Sequence, residues 1–569
     1  MMKVVIIGGV AGGATAAARL RRLDENAQII ILERSGYVSY ANCGLPYYIG
    51  KEITERTELT LQTPQSFEAR FNVDVRVNEE VIDIDTSSKT VTVKKLKEGS
   101  VYTESYDKLI LSPGAKPIVP DIPGVDGKRV LTLRTVEDTF KIYDYIDEYA
   151  PKSAVVVGGG FIGLEMAENL INRNLKVTLL QRSAQVMPPL DADMAAIVHN
   201  YMRKMGVDLK LKSNIKEIVE EKDAMTVKLE DGGQYNADFV VLAVGVLPEN
   251  TLAKKAGLKL GLKGAICTDE CMRTSNEDIY AVGDAVEVTH FVSQKKAVIS
   301  LAGPANKQGR IAADNICGLN SRFTGSQGSS VLKLFNMTIA STGLNEKQAK
   351  ELGYKFDYVV LTSASHATYY PGAASMTVKV LFDLESGRIL GGQIIGFGGA
   401  DKRIDVLAVA IRANMTAYDL TQLDLAYAPP FSSAKDPVNM AGYAIENILK
   451  GLVKQVHWQD IIHNIQDDVI FLDARTAGEY NRGHIQGCIH IPVDELRGRL
   501  NELPKDKKKY VYCQSGLRSY IACRILSQDG FDCYNVSGGY GFYNNILKGS
   551  CLDPEGTGPC GLKGKGETN

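Results

Sequence analysis

The sequence has few of the residues that build metal sites and disulfide scaffolds. Its 569 residues include 7 histidines, 1 tryptophan and 10 cysteines. The cysteines are spread along the chain, and no Cys/His cluster has the spacing of a zinc site. Cys267 and Cys271 stand close together without a second ligand pair nearby, so we interpret them as structural thiols. No bound metal is predicted.

Long apolar runs and a strong charge of one sign are also missing. Apolar runs such as 239–247 are too short to span a bilayer as a helix. The chain enters a strand-like segment at residue 4 without a charged leader and cleavage site. The formal net charge is -2, and no basic stripe indicates nucleic-acid binding. We therefore expect a cytoplasmic protein with neither a membrane nor a nucleic-acid partner.

The length and the overall composition indicate a multidomain globular protein. A chain of 569 residues is too long for one hydrophobic core, so three or four domains are expected. The content of 44% hydrophobic and 23% charged residues is ordinary for such a protein.

A glycine-rich turn near the N-terminus predicts a dinucleotide site. The apolar segment 4–7 is followed by the glycine-rich turn 8–13, a helical segment, and the apolar segment 29–32. Glycines let the backbone approach a pyrophosphate at the positive end of the helix, and Glu33 is placed to bind ribose hydroxyls. Val10 replaces the usual middle glycine, but the strand, helix and terminal acid all keep their spacing.

The same pattern returns at 154–182 with a complete G-x-G-x-x-G between Gly158 and Gly163. Two such units predict two dinucleotides, one of which passes hydride to the other. The second strand ends in Gln181 and Arg182, where an NAD site usually has an acid. Losing the carboxylate removes repulsion toward a 2′-phosphate, and Arg182 could pair with one. NADH and NADPH both stay open.

Two further strand ends indicate that the second unit is inserted within the first. The apolar segments 109–111 and 240–244 lead into Gly114 and Gly245, and they bracket the second glycine-rich turn. Farther on, Asp284 follows a strand and a glycine, a placement that suits binding to flavin ribityl hydroxyls.

With these motifs in order, residues 1–445 resemble the flavoprotein disulfide reductases that bind two dinucleotides. The segment 39–47, S-Y-A-N-C-G-L-P-Y, is similar to coenzyme A-disulfide reductases and the related NADH oxidases and peroxidases. The resemblance implies FAD on the first fold and NAD(P)H on the second, with their rings near Cys43. The FAD positions that it implies are Gly8, Gly9, Ala11, Gly12, Gly13, Glu33, Arg34, Asn42, Val81, Ser112, Gly114, Arg134, Asp284 and Ala302. For NAD(P)H, the positions are Gly158, Gly160, Ile162, Gly163, Gln181 and Arg182.

Cys43 has no second cysteine in a C-x4-C arrangement. The residue five positions later is Tyr48, and the residue five positions earlier is Val38. Cys43 must therefore cycle through a mixed disulfide with a small thiol, a persulfide or a sulfenic acid. We expect its thiolate to be stabilised by a helix terminus or by donors such as Asn42.

The segment 325–445 resembles the family's dimerisation domain, although its strands also suit a plain α+β module. The resemblance implies that Tyr427 and Tyr369 reach the cysteine of the partner subunit and protonate a leaving thiolate; Tyr369 is preferred to Tyr370. Arg19 and Arg22 share a helix face and could contact coenzyme A phosphates. The coenzyme A positions that the resemblance implies are Thr15, Arg19, Arg22, Ser39, Asn42 and Lys435.

After residue 451 the chain resembles a rhodanese domain. Segments 473–475, 478–485 and 490–492 carry the resemblance, together with the loop that follows Cys513. A cysteine at the mouth of a ring of backbone N–H groups stabilises a thiolate or a persulfide, and Arg518 adds positive charge. The loop from Cys513 to Arg518 is one residue shorter than the C-x5-R of tyrosine phosphatases and therefore suits sulfur better than phosphate.

Together these features predict an α/β homodimer with two Rossmann-like domains, an α+β dimerisation domain and a C-terminal rhodanese domain. The predicted boundaries are 1–112 and 246–324 for FAD, 113–245 for NAD(P)H, 325–445 for dimerisation, 446–460 for a linker, 461–549 for rhodanese and 550–569 for a flexible tail.

The predicted reaction is NAD(P)H-dependent reduction of coenzyme A disulfide, coenzyme A persulfide or polysulfide through Cys43, with sulfane sulfur carried on Cys513. One rival is an NAD(P)H oxidase or peroxidase that cycles Cys43 through sulfenic acid. A non-enzymatic sulfur carrier or redox sensor is the other.

Overall fold

The computed structural model describes residues 1–222, 224–463 and 468–549. It divides into two compact units. Unit 1 comprises residues 1–182 and 206–328, and unit 2 comprises 183–205 together with the chain from 329 onward. The predicted tail 550–569 lies outside the described residues. No helix among the described residues is both long enough and apolar enough to cross a membrane.

The strands of the described residues, in chain order, are β1 (Lys3–Ile7), β2 (Gln28–Glu33), β3 (Asp74–Val77), β4 (Glu79–Asp85), β5 (Thr90–Lys95), β6 (Val101–Ser105), β7 (Lys108–Leu111), β8 (Ala115–Pro117), β9 (Val130–Thr132), β10 (Ser153–Val157), β11 (Lys176–Leu180), β12 (Asp208–Lys210), β13 (Ile215–Glu220), β14 (Met225–Leu229), β15 (Gln234–Ala237), β16 (Phe239–Leu242), β17 (Val246–Pro248), β18 (Ile266–Cys267), β19 (Ile279–Ala281), β20 (Val286–Thr289), β21 (Lys296–Ala297), β22 (Ser330–Leu334), β23 (Met337–Gly343), β24 (Phe356–Ala364), β25 (Ser375–Asp383), β26 (Ile389–Gly396), β27 (Lys454–Val456), β28 (Val469–Asp473), β29 (Ile489–His490), β30 (Lys508–Tyr512) and β31 (Cys533–Val536).

The α-helices are α1 (Ala11–Leu23), α2 (Leu45–Ile49), α3 (Arg56–Leu59), α4 (Pro64–Phe71), α5 (Val136–Tyr149), α6 (Phe161–Asn172), α7 (Ala192–Lys204), α8 (Thr251–Lys255), α9 (Ala302–Ile316), α10 (Glu346–Glu351), α11 (Ala400–Arg412), α12 (Ala417–Gln422), α13 (Pro437–Leu449), α14 (Trp458–His463), α15 (Ala477–Asn481), α16 (Leu517–Gln528) and α17 (Gly539–Gly549).

Unit 1 contains two parallel five-stranded sheets, each built around a short apolar strand. The first has the order β19-β7-β1-β2-β3, and the second has the order β12-β11-β10-β16-β9. Both central strands, β1 and β10, are buried over most of their length, as expected for strands covered on two faces. The first sheet takes β7 from before the second sheet and β19 from after it, which confirms the predicted insertion.

Unit 2 contains an antiparallel sheet of order β22-β23-β26-β25-β24. Asp436 caps the N-terminus of helix α13, because its carboxylate accepts a hydrogen bond from the backbone N–H of Val438 at 3.0 Å. The same carboxylate forms a buried ion pair with Arg403 of α11 at 3.0 Å. The ion pair therefore joins α11 to the start of α13.

A third parallel sheet, β27-β31-β30-β28-β29, closes unit 2. The segment that leads into it is bound to the antiparallel sheet, because His457 Nε2 lies 2.6 Å from Asp357 and its ring stacks on Tyr358 at 3.8 Å. Trp458 Nε1 then donates to the carbonyl of Gly539 at the start of α17. The antiparallel and the C-terminal sheets are therefore joined through polar and aromatic contacts.

A buried ion network connects α7 to the same antiparallel sheet. Lys379 is fully buried on β25, and its Nζ lies 2.7 Å from Asp193 and 3.1 Å from Asp191. Glu346 forms a third short contact with the same ammonium group. The three carboxylates converge as metal ligands would, but the lysine supplies the cation.

Candidate functional site

The first glycine turn has the geometry that a bound pyrophosphate requires. Gly8 has a φ of +94°, and a Cβ atom there would lie 2.2 Å from the carbonyl oxygen of Ser112, so only glycine fits. The backbone N–H of Gly9 donates to Glu33 Oε2 at 2.8 Å. The acid at the end of β2 therefore reaches the turn, and its predicted contact with ribose hydroxyls stays a prediction.

The second turn repeats this geometry with an amide in place of the acid. Gly158 has a φ of +107°, and a Cβ there would lie 2.3 Å from the carbonyl oxygen of Ala243. The N–H of Gly159 donates to Gln181 Oε1 at 2.9 Å. Gln181 thus takes the place that Glu33 holds in the first fold, without its negative charge. Arg182, the next residue, is exposed.

Both turns present helix N-termini that suit a phosphate group. The N-caps of α1 and α6 are Val10 and Gly160, and neither makes a side-chain capping hydrogen bond. A Cβ on Gly160 would meet nothing within 4 Å, so there is open space above the turn. Neither helix has an acid in its first turn that would repel an anion. The residues of both turns therefore fit dinucleotides.

Charged residues predicted to bind FAD converge beside the first turn. Arg134 Nη2 lies 3.1 Å from Asp284 Oδ2, and a Cβ on Gly114 would lie 3.0 Å from the same guanidinium. Three other positions predicted to bind FAD have different surroundings. Ala302 begins α9, Arg34 is exposed, and the Val81 side chain is packed into the core, so only the backbone of Val81 could meet a cofactor.

Cys43 lies on a 3₁₀ turn, Asn42–Gly44, immediately before α2. The residue as a whole is exposed, although neighbouring atoms partly desolvate its sulfur. Burial raises the pKa of the Cys43 thiol, Glu165 and Asp284 raise it further, and Arg134 lowers it. Burial and the two carboxylates therefore outweigh Arg134, so the atoms of the chain by themselves disfavour the Cys43 thiolate, and its stabilisation stays a prediction.

Glu165 is a site residue that sequence reasoning missed. Tyr47 donates a hydrogen bond to Glu165 Oε1 at 3.3 Å, and burial raises the pKa of Glu165 to about 7. Helix α6 also holds α2 in place, since Arg173 donates to the carbonyl of Ile49 at 2.8 Å. The signal was the polar pair Glu165 and Asn169 at i, i+4 positions, which puts both on one face of α6.

Three of the predicted coenzyme A positions of unit 1, Thr15, Arg19 and Arg22, lie on α1, and none of the three is buried. Thr15 Oγ1 donates to Asn306 at 2.7 Å, and Arg19 pairs with Asp314 at 2.7 Å, both on α9. Arg22 is exposed. The neighbouring Arg21 is instead buried and donates to five backbone carbonyls, which makes it structural.

Three further predicted positions complete this set. In unit 1, Ser39 has a φ of +49°, and its N–H donates to the carbonyl of Gly9 at 2.8 Å, while Asn42 opens the turn that carries Cys43. In unit 2, Lys435 is exposed beside Asp436 at the start of α13.

In unit 2, the structure brings Tyr369 and Tyr427 together. Their hydroxyl groups are 3.0 Å apart, and the two residues are 75% and 47% exposed. Tyr370 instead packs edge-on against His366. Two exposed, hydrogen-bonded phenols in one chain suit a surface that a second subunit covers.

Cys513 is fully buried in the loop between β30 and α16. Its Sγ accepts a hydrogen bond from the N–H of Gly516 at 3.1 Å and lies 3.4 Å from Ser519 Oγ. Gly516 has a φ of +101°, which turns its N–H toward the sulfur. The loop is therefore a donor nest for a sulfur anion.

Arg518 adds less net charge to this loop than the sequence suggested. Both of its terminal nitrogens donate to Glu479, each at 2.6 Å. Arg518 holds the pKa of Glu479 at about 2, so the acid stays ionised and balances the guanidinium. The predicted positive charge is thus present but paired, a contact between distant segments that sequence spacing does not show.

Comparisons with known proteins agree with this geometry. The family description "Pyridine nucleotide-disulphide oxidoreductase" matches residues 2–309, its dimerisation domain matches 329–437, and a rhodanese-like domain matches 458–545. Coenzyme A disulfide reductase from Staphylococcus haemolyticus is 37% identical over 449 residues, which cover 79% of this chain and 100% of that relative.

Three solved structures are also similar. Reduced CoADR-RHD from Bacillus anthracis is 49% identical with a TM-score of 0.94, covering 96% of this chain and 98% of that one. An NAD-dependent persulfide reductase from A. fulgidus is 41% identical with a TM-score of 0.90, covering 95% and 100%. An engineered water-forming NADPH oxidase, derived from a Lactobacillus brevis NADH oxidase, is 30% identical with a TM-score of 0.76, covering 79% and 99%.

The two glycine turns, the charged cluster beside Cys43 and these matches point the same way. The chain belongs to the pyridine nucleotide-disulphide oxidoreductase family, as an FAD-dependent, NAD(P)H-using enzyme that ends in a rhodanese-like domain.

Proposed function

We propose that the enzyme reduces coenzyme A disulfide, coenzyme A persulfide or polysulfide through Cys43, and that Cys513 carries sulfane sulfur. The observation that carries the proposal is the exposed Cys43 beside Arg134 and Asp284, with Tyr48 rather than a thiol at the C-x4-C position. Without an internal partner, Cys43 forms its oxidised state with an external species, and exchange with an external thiol supports this proposal. The names of the relatives support coenzyme A and persulfide as substrates.

The proposed roles follow from the geometry of each site. The glycine turn at Gly8 would hold FAD, which would supply the transfer of an electron pair from NAD(P)H to sulfur on Cys43. Cys43 attacks the sulfane or disulfide sulfur and releases the thiolate of coenzyme A. Tyr427 and Tyr369, from the other subunit of a homodimer, donate the proton that this thiolate takes. Their hydroxyl separation of 3.0 Å lets one phenol support the other as donor.

Each sulfur–sulfur bond that is broken consumes one molecule of NAD(P)H. Coenzyme A disulfide, NAD(P)H and a proton give two molecules of coenzyme A and NAD(P)⁺. Coenzyme A persulfide, NAD(P)H and a proton give coenzyme A, hydrogen sulfide and NAD(P)⁺. In both cases the sulfur–sulfur bond gains two electrons and breaks.

We propose NADPH as a substrate alongside NADH because of the end of β11. Gln181 leaves no carboxylate to repel a 2′-phosphate, and Arg182 is exposed beside it. The similar engineered NADPH oxidase removes an aspartate and places arginine and serine directly after it. This chain has Gln181, Arg182 and Ser183 in that order. The predicted domain boundaries, the cytoplasmic location and the other cofactor contacts stay predictions.

The test compares turnover on coenzyme A disulfide, coenzyme A persulfide, polysulfide and oxygen for three proteins. We expect the wild type to reduce the sulfur substrates, Cys43→Ser to lose all of these activities while keeping FAD, and Cys513→Ser to lose sulfane-sulfur transfer. Oxygen as the preferred acceptor would favour the oxidase instead. Equal rates for the wild type and Cys513→Ser on every substrate would refute coupling between the modules.

A further inference from the structure

Helices α1 and α9 of unit 1 present charges of one sign to their surroundings. Their positions that are not buried carry no acid and four cations, Arg19, Arg22, Lys307 and Arg310. The one acid of the two helices, Asp314, is 4% exposed. Its carboxylate accepts hydrogen bonds from Arg19 Nε at 2.7 Å and from Ser321 Oγ at 2.8 Å. Arg19 therefore balances this carboxylate, and the other three cations have no counter-charge on either helix.

Arg310 stands between two side-chain contacts that join the helices. On α9, Asn306 accepts a hydrogen bond from Thr15 Oγ1 at 2.7 Å, and Asp314 pairs with Arg19. Arg310 is four residues from each of these α9 residues, and side chains at that spacing share a helix face. Arg310 therefore lies on the same edge of α9 as the partners of two predicted coenzyme A residues.

The guanidinium groups on this surface have donors to spare. Arg310 and Arg22 are exposed, and neither forms a hydrogen bond or an ion pair with another residue that the structure describes. An exposed arginine is ordinarily only solvated. Here, however, Arg19 is already oriented by Asp314 through Nε alone, and Arg22 follows it three residues later on the same helix face. Guanidinium groups grouped in this way suit bidentate binding of phosphate oxygens.

We propose that Arg310 binds a phosphate group of coenzyme A together with Arg19 and Arg22, and so selects coenzyme A over thiols without phosphate. This role rests on the proposed function and adds a residue of α9 to its coenzyme A site. Coenzyme A offers a diphosphate and a 3′-phosphate, which are chemically alike as acceptors for a guanidinium group. Neither belongs to the sulfur–sulfur bond that breaks, so the contact strengthens binding and leaves the chemical step unchanged.

Calorimetric titration of coenzyme A into the full-length Cys43→Ser protein with its FAD measures this contact without turnover and without a mixed disulfide on Cys43. In that background, Arg310→Gln should weaken binding about tenfold, because one charge-assisted contact is lost. Arg310→Lys keeps the charge and should retain part of the affinity. Lys254→Gln removes an exposed charge from another helix, α8, and should bind coenzyme A as the background does. Dephospho-coenzyme A separates the two phosphates, since the effect of Arg310→Gln persists with it for the diphosphate and disappears for the 3′-phosphate.

Turnover with Cys43 intact gives the second measurement. Arg310→Gln should raise the KM for coenzyme A disulfide about tenfold, with kcat unchanged and with no change in the KM for pantethine, a disulfide without phosphate. The proposal is wrong if the background does not bind coenzyme A, if Arg310→Gln binds it equally well, or if Lys254→Gln weakens binding as much. An equal rise in the KM for pantethine would also contradict it. Binding that depends on Arg310 in a protein that reduces no sulfur substrate would refute the proposed function alone.

Discussion

Protonation of His199 is expected to loosen the end of the C-terminal domain from helix α7. The His199 ring is 1% exposed, and its Nε2 accepts a hydrogen bond from the N–H of Val186 at 3.1 Å. Its Nδ1 therefore carries the hydrogen and donates to the carbonyl of Gly549 at 2.8 Å. Nearby, Asn200 donates to the carbonyl of Asn545 at 2.9 Å. A second proton on His199 would break the contact with Val186.

The magnitude follows from the pKa of His199, which burial lowers from 6.5 to about 4. Between these values the unfolded chain binds more protons than the folded one, so stability falls as the pH drops through this window. The loss is about 2 kcal/mol at pH ~5 and about 3 kcal/mol below pH ~4. A loss of about 2 kcal/mol speeds the opening of α17 roughly 30-fold.

Hydrogen exchange of the α17 peptides, corrected for intrinsic rates, measures this opening at pH ~7.5 and ~5. The His199→Gln variant should lose most of the pH dependence. Asn200→Ala is the matched control, because it weakens the same contact without removing a titrating group, so it should lower protection at both pH values alike. An unchanged pH dependence in His199→Gln would refute the assignment to His199.

Three further changes are expected to have separable effects. Lys379→Met leaves buried carboxylates unpaired, so it should cost about 3–5 kcal/mol of stability and lower the Tm. Lys355→Met is the surface control and should leave the Tm unchanged. Arg182→Ala should raise the KM for NADPH about tenfold and spare that for NADH; equal effects on both would count against a 2′-phosphate contact. Glu479→Gln removes the carboxylate that pairs with Arg518, so the KM for thiosulfate, an anionic sulfur donor, should fall about tenfold. An unchanged KM would show that the ion pair does not restrict anionic donors.

Most of the fold and both predicted cofactor-binding turns could be predicted from local sequence patterns. The turns at Gly8 and Gly158 are contiguous signals of strand, turn and helix, and the structure has each between a strand and a helix, as predicted. The insertion could be read because its two flanking strand ends both carry glycines. These features depend on neighbours in sequence, which is why the sequence alone reveals them.

Contacts between segments that are distant in sequence could not be predicted from such local patterns. The Glu479 carboxylate that pairs with Arg518 is 39 residues away, and Lys379 draws carboxylates from two other elements. The pKa of Cys43 depends on Glu165, which lies on the helix of the second nucleotide fold. Such pairs follow from the packing of elements, and no spacing rule predicts them.

The adduct formed on Cys43 tests the central claim most directly. The enzyme is first reduced under anaerobic conditions, and the nicotinamide nucleotide is then removed. One equivalent of coenzyme A disulfide is added, the mixture is quenched in acid, and the protein is digested with trypsin. We predict coenzyme A on the peptide 35–51, which contains Cys43, and none on that peptide from Cys43→Ser. Coenzyme A on another cysteine, or coenzyme A disulfide reduced at the wild-type rate by Cys43→Ser, would contradict the proposed role of Cys43.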